Sequence, residues 1–146
     1  MDRLRLQAGY TLIEVTISLS LAFLLLSASL QIFLFVQDRV EKGKARLMMQ
    51  MEAAAFLHYL EREISCTEQI FIAQGRMFFF CGPTRYDYKL YGNYIVREVD
   101  SKGWIEVCLY VKDFQIAPLP RGILLTLTME RGGTEWGMQT VLTYSK

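Results

Sequence analysis

The sequence predicts an α+β fold, in which one long N-terminal helix packs against a small antiparallel β-sheet. Three observations lead to this prediction. Residues 15–36 contain no charged side chain, and residues 37–65 contain no proline and are rich in good helix formers. After Cys66, short runs of β-branched and aromatic residues alternate with turn-forming residues.

The uncharged run of residues 15–36 predicts a retained membrane helix. At about 1.5 Å per residue the run covers about 33 Å, enough to cross a hydrocarbon core of about 30 Å. It is longer than the apolar region of a signal peptide, about 7–15 residues, and no small-x-small cleavage motif follows it. The numbers of Lys and Arg on the two sides of this run weakly favour an N-terminus outside the cell, so charge alone determines the orientation poorly.

The helix is expected to continue without a break from about residue 11 to residue 64, as a stalk beyond the membrane. Apolar residues at spacings of three, four and seven predict one buried stripe on its second half. That stripe comprises Val40, Leu47, Met48, Met51, Ala54, Ala55 and His58. Leu47, Met48 and Met51 are expected to contact the sheet, and Gly43 is the expected weak point of the helix.

The remaining residues, 66–146, predict an antiparallel β-rich region, which we call the head. Predicted strands cover residues 69–73, 77–81, 86–90, 94–99, 104–114, 123–130 and 136–144. Tight turns such as Gly92-Asn93 and Gly132-Gly133 favour antiparallel neighbours. Strict alternation in residues 125–129 predicts one buried and one solvent-exposed face for that strand.

Composition and motifs argue against several functional classes. The chain has 16 Lys+Arg against 15 Asp+Glu, so it lacks the strongly basic body of a dedicated nucleic-acid binder. G-x-S-x-G, Walker-type and H-E-x-x-H motifs are all missing from the sequence. With one histidine, His58, and no C-x-x-C pair, a metal site is not expected. We therefore predict a protein that is not an enzyme and needs no cofactor.

The N-terminal segment carries a more specific pattern. A short stretch containing Arg3 and Arg5 ends at Gly9, and Tyr10-Thr11-Leu12-Ile13-Glu14-Val15 leads directly into the apolar run. This pattern resembles the class III leader of type IV pilins and pseudopilins. The resemblance implies that a prepilin peptidase cuts after Gly9 on the cytoplasmic side and methylates the new terminus, Tyr10. In this family that residue is usually phenylalanine, and Glu14 matches the glutamate at mature position five.

The same resemblance implies a pilin-like fold and a topology. It predicts a leader of residues 1–9, a transmembrane and assembly helix of 10–36, an extracytoplasmic helix half of 37–65 and the head of 66–146. It also overrides the charge count, because the N-terminus must start in the cytoplasm and the head must lie outside. The alternative is a plain signal anchor whose Glu14 lies at the membrane interface by chance.

Electrostatics gives a reason for Glu14. A carboxylate within the apolar phase costs at least about 2.5–3.5 kcal/mol and is therefore normally paired or functional. Cleavage after Gly9 would place an ammonium on Tyr10, one helical turn before Glu14 and on the same face. In a filament, Glu14 is expected to pair with the ammonium of a neighbouring subunit and to set the axial register of assembly.

A narrower pattern covers roughly residues 57–130. Its residues are Glu63 to Cys66, Phe79 to Cys81, the hairpin Tyr94 to Gly103, Val111 to Phe114 and Gly122 to Leu125. The pattern resembles the ComGF family of competence minor pseudopilins. That resemblance implies a subunit of a cell-surface pseudopilus that carries external DNA to a membrane receptor during transformation. Its partners would be other major and minor pseudopilins, a prepilin peptidase and an assembly platform membrane protein. Its contact with DNA would be indirect. The alternatives are a minor pseudopilin of type II secretion or of a type IV pilus, or a DNA-binding protein at the pilus tip.

Two further features of the head are open to more than one interpretation. Cys66 and Cys81, 15 residues apart, could close a loop with a disulfide worth roughly 3 kcal/mol, which an extracytoplasmic location permits. The alternative is three buried thiols, the state also expected for Cys108. Cations and aromatic residues alternate around one hairpin, so Arg85, Lys89 and Lys102 are candidate DNA contacts. Nearby Asp87, Glu98, Asp100 and Glu106 cancel most of that charge, as in an ordinary sheet.

Overall fold

The computed structural model describes residues 11–67 and 69–143. Within them the chain forms one helix and eight strands. These elements are α1 (Leu12–Ile64), β1 (Ile70–Ala73), β2 (Arg76–Cys81), β3 (Thr84–Tyr91), β4 (Tyr94–Val99), β5 (Lys102–Leu109), β6 (Val111–Leu119), β7 (Gly122–Arg131) and β8 (Thr134–Thr143).

The helix α1 belongs to two compact units whose boundary lies between Glu41 and Lys42. The first unit contains the N-terminal, apolar part of α1. The second contains the rest of α1 and all eight strands. The helix continues through Gly43, where an added Cβ would meet no atom within 4 Å. The predicted unbroken helix is therefore confirmed for the described residues.

The buried face of α1 is not the predicted stripe. The helix buries Met49, Ala53, Phe56, Leu60 and Ile64, which follow one another at spacings of three and four. Val40, Leu47 and Met51 are instead more than half exposed, and Ala54, Ala55 and His58 are exposed as well. Only Met48 of the predicted stripe is partly buried. The prediction was wrong because apolar residues occupy two faces of this helix, and periodicity alone does not tell which face meets the sheet.

The strands form two antiparallel sheets, one of β1 to β5 in sequence order and one of β6 to β8. The predicted single strand over residues 104–114 is wrong. Tyr110 has a φ of 62°, so the strand stops there and the chain passes from one sheet into the other. Backbone hydrogen bonds fix this transition, because Val111 N donates to Asn93 O and Glu130 N donates to Tyr110 O, each over 2.8 Å.

Side chains of α1 and of both sheets share one core. The Phe56 ring lies 6.3 Å from the Tyr88 ring of β3 and 6.2 Å from the Phe114 ring of β6. On β7, Leu125, Leu127 and Met129 are buried while Thr126 and Thr128 are partly exposed, which confirms the predicted alternation. One long apolar helix packed against antiparallel strands is an α+β arrangement consistent with a pilin-like fold.

Candidate functional site

The N-terminal part of α1 exposes an apolar surface along its whole length. Every side chain from residue 11 to residue 44 is exposed, including Phe23, Leu26, Phe33 and Phe35. Burying apolar surface contributes about 25 cal/mol per Å², so water is an unfavourable environment for this segment. The helix is long and apolar enough to cross a membrane.

Several hydroxyl groups within this segment have partners inside the helix. Ser20 donates to the carbonyl oxygen of Thr16 over 2.8 Å, and Ser29 donates to that of Leu25 over 2.7 Å. Ser27 donates to the Leu24 carbonyl oxygen over 2.9 Å. These hydroxyls are satisfied without water, which suits a lipid environment. Their small side chains, with Ser18 and Ala28, would also permit close helix approach.

Glu14 lies in the first turn of α1, where its backbone is capped by Thr11. The Glu14 amide donates to Thr11 Oγ1 over 3.3 Å and to the Thr11 carbonyl oxygen over 2.9 Å. Thr11 and Glu14 have the spacing of a capping box, in which a threonine cap is followed three residues later by glutamate. The spacing of these two residues is readable from the sequence, and the structure adds the bonds from the Glu14 amide to Thr11. Gly9 and Tyr10, the predicted cleavage and methylation residues, lie outside the described residues.

A partly buried ionic cluster joins the end of α1 to β3 and β4. Arg97 donates from Nη2 to Glu63 Oε1 over 2.5 Å and from Nε to Oε2 over 3.1 Å, and Tyr88 Oη also donates to Oε2 over 2.5 Å. The Arg97 guanidinium additionally lies 5.5 Å from the Tyr59 ring centroid and 4.8 Å from that of Tyr86. Burial, together with the hydrogen bond to Glu63, raises the pKa of Tyr88 far above its usual value. The cluster links the end of the helix to the five-stranded sheet.

The three cysteines lie in two different environments. Cys66 and Cys81 are at disulfide distance, with Cα atoms 5.6 Å apart, which fits the predicted pair. This bridge would connect the residues after α1 to the end of β2. Cys108 is buried, and that burial, with the Glu52 carboxylate as a smaller cause, raises its pKa to about 12. Its thiol is therefore protonated and unreactive at neutral pH.

Two of the three candidate DNA contacts have acidic partners within the chain. Arg85 Nη2 lies 2.8 Å from Asp87 Oδ2, with its guanidinium 4.4 Å from the Phe78 ring centroid. Lys89 Nζ lies 2.7 Å from Glu98 Oε1. Lys102 is exposed at the start of β5. Phosphates would have to compete with Asp87 and Glu98 for these cations, which weakens the case for direct contact.

Three aromatic residues, of which Tyr91 and Trp104 are exposed and Tyr94 is partly exposed, occupy the outer face of the five-stranded sheet. The Tyr94 and Trp104 rings lie 6.1 Å apart at 11°, and Tyr91 is 6.2 Å from Trp104. Beside these rings lies a groove of about 210 Å³, which is lined by Tyr91, Trp104, Lys89, Val96 and Glu98. The cation and the carboxylate of this groove are paired with each other, so neither is directed at a ligand.

Neither a metal-binding cluster in the described part of the chain nor a similar known protein points to a function for it. Across residues 11–67 and 69–143, no group of three or more His, Cys, Asp or Glu side chains could hold a metal ion. Compared with protein-family models, curated proteins and solved structures, the chain matches none of them. The features available for a functional assignment are thus the apolar helix, the capped glutamate and the head.

Proposed function

We propose that this chain is a minor pseudopilin, a structural subunit that helps to assemble a competence pseudopilus for DNA uptake. The observation that carries the proposal is the exposed apolar part of α1 with Glu14 in its first turn. A helix of this kind requires lipid or other helices around it. A subunit that is first held in the membrane and then enters a helical bundle is surrounded by lipid before assembly and by other helices after it.

The mechanism begins with processing at the cytoplasmic face. A prepilin peptidase removes residues 1–9 by cutting after Gly9 and methylates Tyr10. The new ammonium of Tyr10 and the carboxylate of Glu14 then compensate each other within the membrane subunit. On assembly, Glu14 pairs with the ammonium of a neighbouring pseudopilin, and a wrong stagger is costly because both charges lie in a low-dielectric bundle.

The head stays outside the cytoplasm throughout this cycle. A Cys66–Cys81 bridge suits that compartment, because disulfides persist in oxidising surroundings. Arg85 is paired with Asp87, and Lys89 is paired with Glu98. This pairing favours a head that contacts other subunits over one that binds DNA directly. Assembly with major and minor pseudopilins, driven by a platform membrane protein, is the role assigned to this chain.

Processing and phenotype test the proposal together. In the native host, the mature chain should begin at methylated Tyr10 by mass spectrometry. Deletion should abolish uptake of labelled DNA while leaving protein secretion intact. Complementation with wild type or Glu41→Gln should restore uptake, whereas Gly9→Asp should leave the leader attached and uptake absent.

Other phenotypes would redirect or reject the assignment. Loss of protein secretion in place of DNA uptake would indicate a type II secretion pseudopilin, and loss of surface pili would indicate a type IV pilus subunit. An uncut wild-type leader would reject the pilin-like interpretation as a whole. Weaker DNA binding by an Arg85/Lys89/Lys102→Ala variant than by wild type would move the function toward a DNA-binding tip protein.

A further inference from the structure

Among the described residues of the head, one edge strand differs from the other three. Exposed edges are normally protected against pairing with other chains by short length, bulges, proline or lysine. β1 has four residues, the β4–β5 pairing has two register shifts, and β6 has a register shift and Pro118. β8 has ten residues in regular register with β7, no proline, no lysine, and Glu135 as its one charged residue.

The backbone of β8 is oriented to accept another strand. Arg131 pairs with Thr134 across the two-residue turn Gly132-Gly133, both of whose φ angles are positive, at 56° and 71°. A turn of this type makes Arg131 and Thr134 a hydrogen-bonded pair, so every second residue from Thr134 onward bonds to β7. The peptide groups of the residues between them therefore point to the open edge. These residues are Glu135, Gly137, Gln139, Val141 and Thr143.

Apolar side chains of β8 also form a partly exposed row, which a further strand beside β8 would cover. Trp136 and Met138 pack against the core and are still partly exposed, because β8 is the last strand on this side. On the opposite face, Val141 is 52% exposed. A neighbouring strand would need apolar residues on one face and small or polar residues on the other. β8 has this pattern itself.

We propose that a second copy of this chain pairs with β8 through its own β8, in antiparallel orientation about a two-fold axis at Gln139. In that register Gly137 faces Val141 and Glu135 faces Thr143, so no like charges are opposed. On the inner face Trp136 meets Leu142, which extends the apolar row across both copies. This pairing joins two three-stranded sheets into one six-stranded sheet, and it does not depend on the proposed function.

Cysteine crosslinking of the full chain in its native membranes tests the pairing. Across the axis, the two Gln139 Cα atoms would be about 5.5 Å apart. Gln139→Cys should therefore give a dimer of twice the chain mass with a short bis-maleimide reagent. The matched control is Gln115→Cys, an exposed glutamine on β6 in the same row, since Gln115 and Gln139 both pair with Thr126. The two Gln115 residues would be five strand spacings apart, about 24 Å, and should not crosslink.

Charge at the axis provides a second, independent readout. Differently tagged Gln139→Lys copies should co-purify roughly fivefold less than wild-type copies, because like charges would face each other, and Gln139→Glu should behave in the same way. Mixing the Lys and Glu variants should restore co-purification. Equal dimer yields from Gln139→Cys and Gln115→Cys, a crosslink to a chain of different mass, or no rescue by the mixture would each overturn the proposal.

Discussion

At the residue scale, the Glu63–Arg97 pair is a polar contact that joins α1 to the head beside their shared apolar core. Their side chains are only 16% and 14% exposed, so each charge depends on the other for stabilisation. Glu63→Ala should lower the free energy of unfolding by about 3 kcal/mol, because it leaves Arg97 buried and unpaired. Denaturation followed by tryptophan fluorescence measures this, since Trp104 and Trp136 both lie in the head.

The matched control for that change is Glu98→Ala. Glu98 pairs with Lys89 at 2.7 Å, and both side chains are more exposed, at 24% and 22%. Solvent screens such a pair, so its loss should cost no more than about 1 kcal/mol. Equal losses from the two variants would show that the Glu63 cluster does not hold the helix.

Burial of Cys108 makes the stability of the head fall as the pH rises through the alkaline range. Its pKa rises from an ordinary value of 9.0 to about 12 on folding, so the folded state holds the thiol proton more tightly than the unfolded state. The resulting stability is fully present below pH 9 and is lost as the pH rises toward 12. Cys108→Ala should therefore flatten the decline between pH 9 and pH 11, measured as unfolding midpoints at each pH. An unchanged decline would assign it to other groups, such as Tyr88.

At the element scale, the close approach of β7 to the end of β8 depends on Gly122. A Cβ at this position would overlap the carbonyl oxygen of Leu142. Gly122→Ala should therefore cost about 1–3 kcal/mol through backbone displacement. Gly43→Ala, at an open position in α1, should instead raise helix stability by about 1 kcal/mol. Denaturant midpoints give the order, and a Gly122→Ala variant as stable as wild type would contradict this geometry.

The sequence predicted those elements whose signals are local. Glycine turns and alternating strands located six of the predicted strands close to their observed positions, and the helix bounds were within two residues. The division at Tyr110 was missed because a non-glycine residue with positive φ gives no compositional signal. The contact between Glu63 and Arg97 was missed because it joins residues 34 positions apart. Pairing over such a distance depends on the packing of α1 on β4, which no local window contains.

At the scale of the whole molecule, the two units require different surroundings. The second unit buries Phe56, Tyr88 and Leu127 in its own core, whereas the N-terminal part of α1 leaves its leucines and phenylalanines exposed. The second unit can therefore be treated as a folded body in water, and the N-terminal part of α1 needs lipid or neighbouring helices. A processed subunit would move its helix between these two environments while the head keeps its internal contacts.

The charge at the start of that helix should then matter for assembly and not for folding. Glu14→Gln keeps the size of the side chain and removes the charge that would meet a neighbouring Tyr10 ammonium. We expect the variant to be processed and held in the membrane normally, and to enter sheared filaments about tenfold less than wild type, the ratio produced by about 1.4 kcal/mol. The matched control, Glu41→Gln, lies on the same helix beyond the apolar run and should assemble normally. Quantitative immunoblotting of filament and membrane fractions measures the ratio, and equal incorporation of the two variants would remove Glu14 from the assembly mechanism.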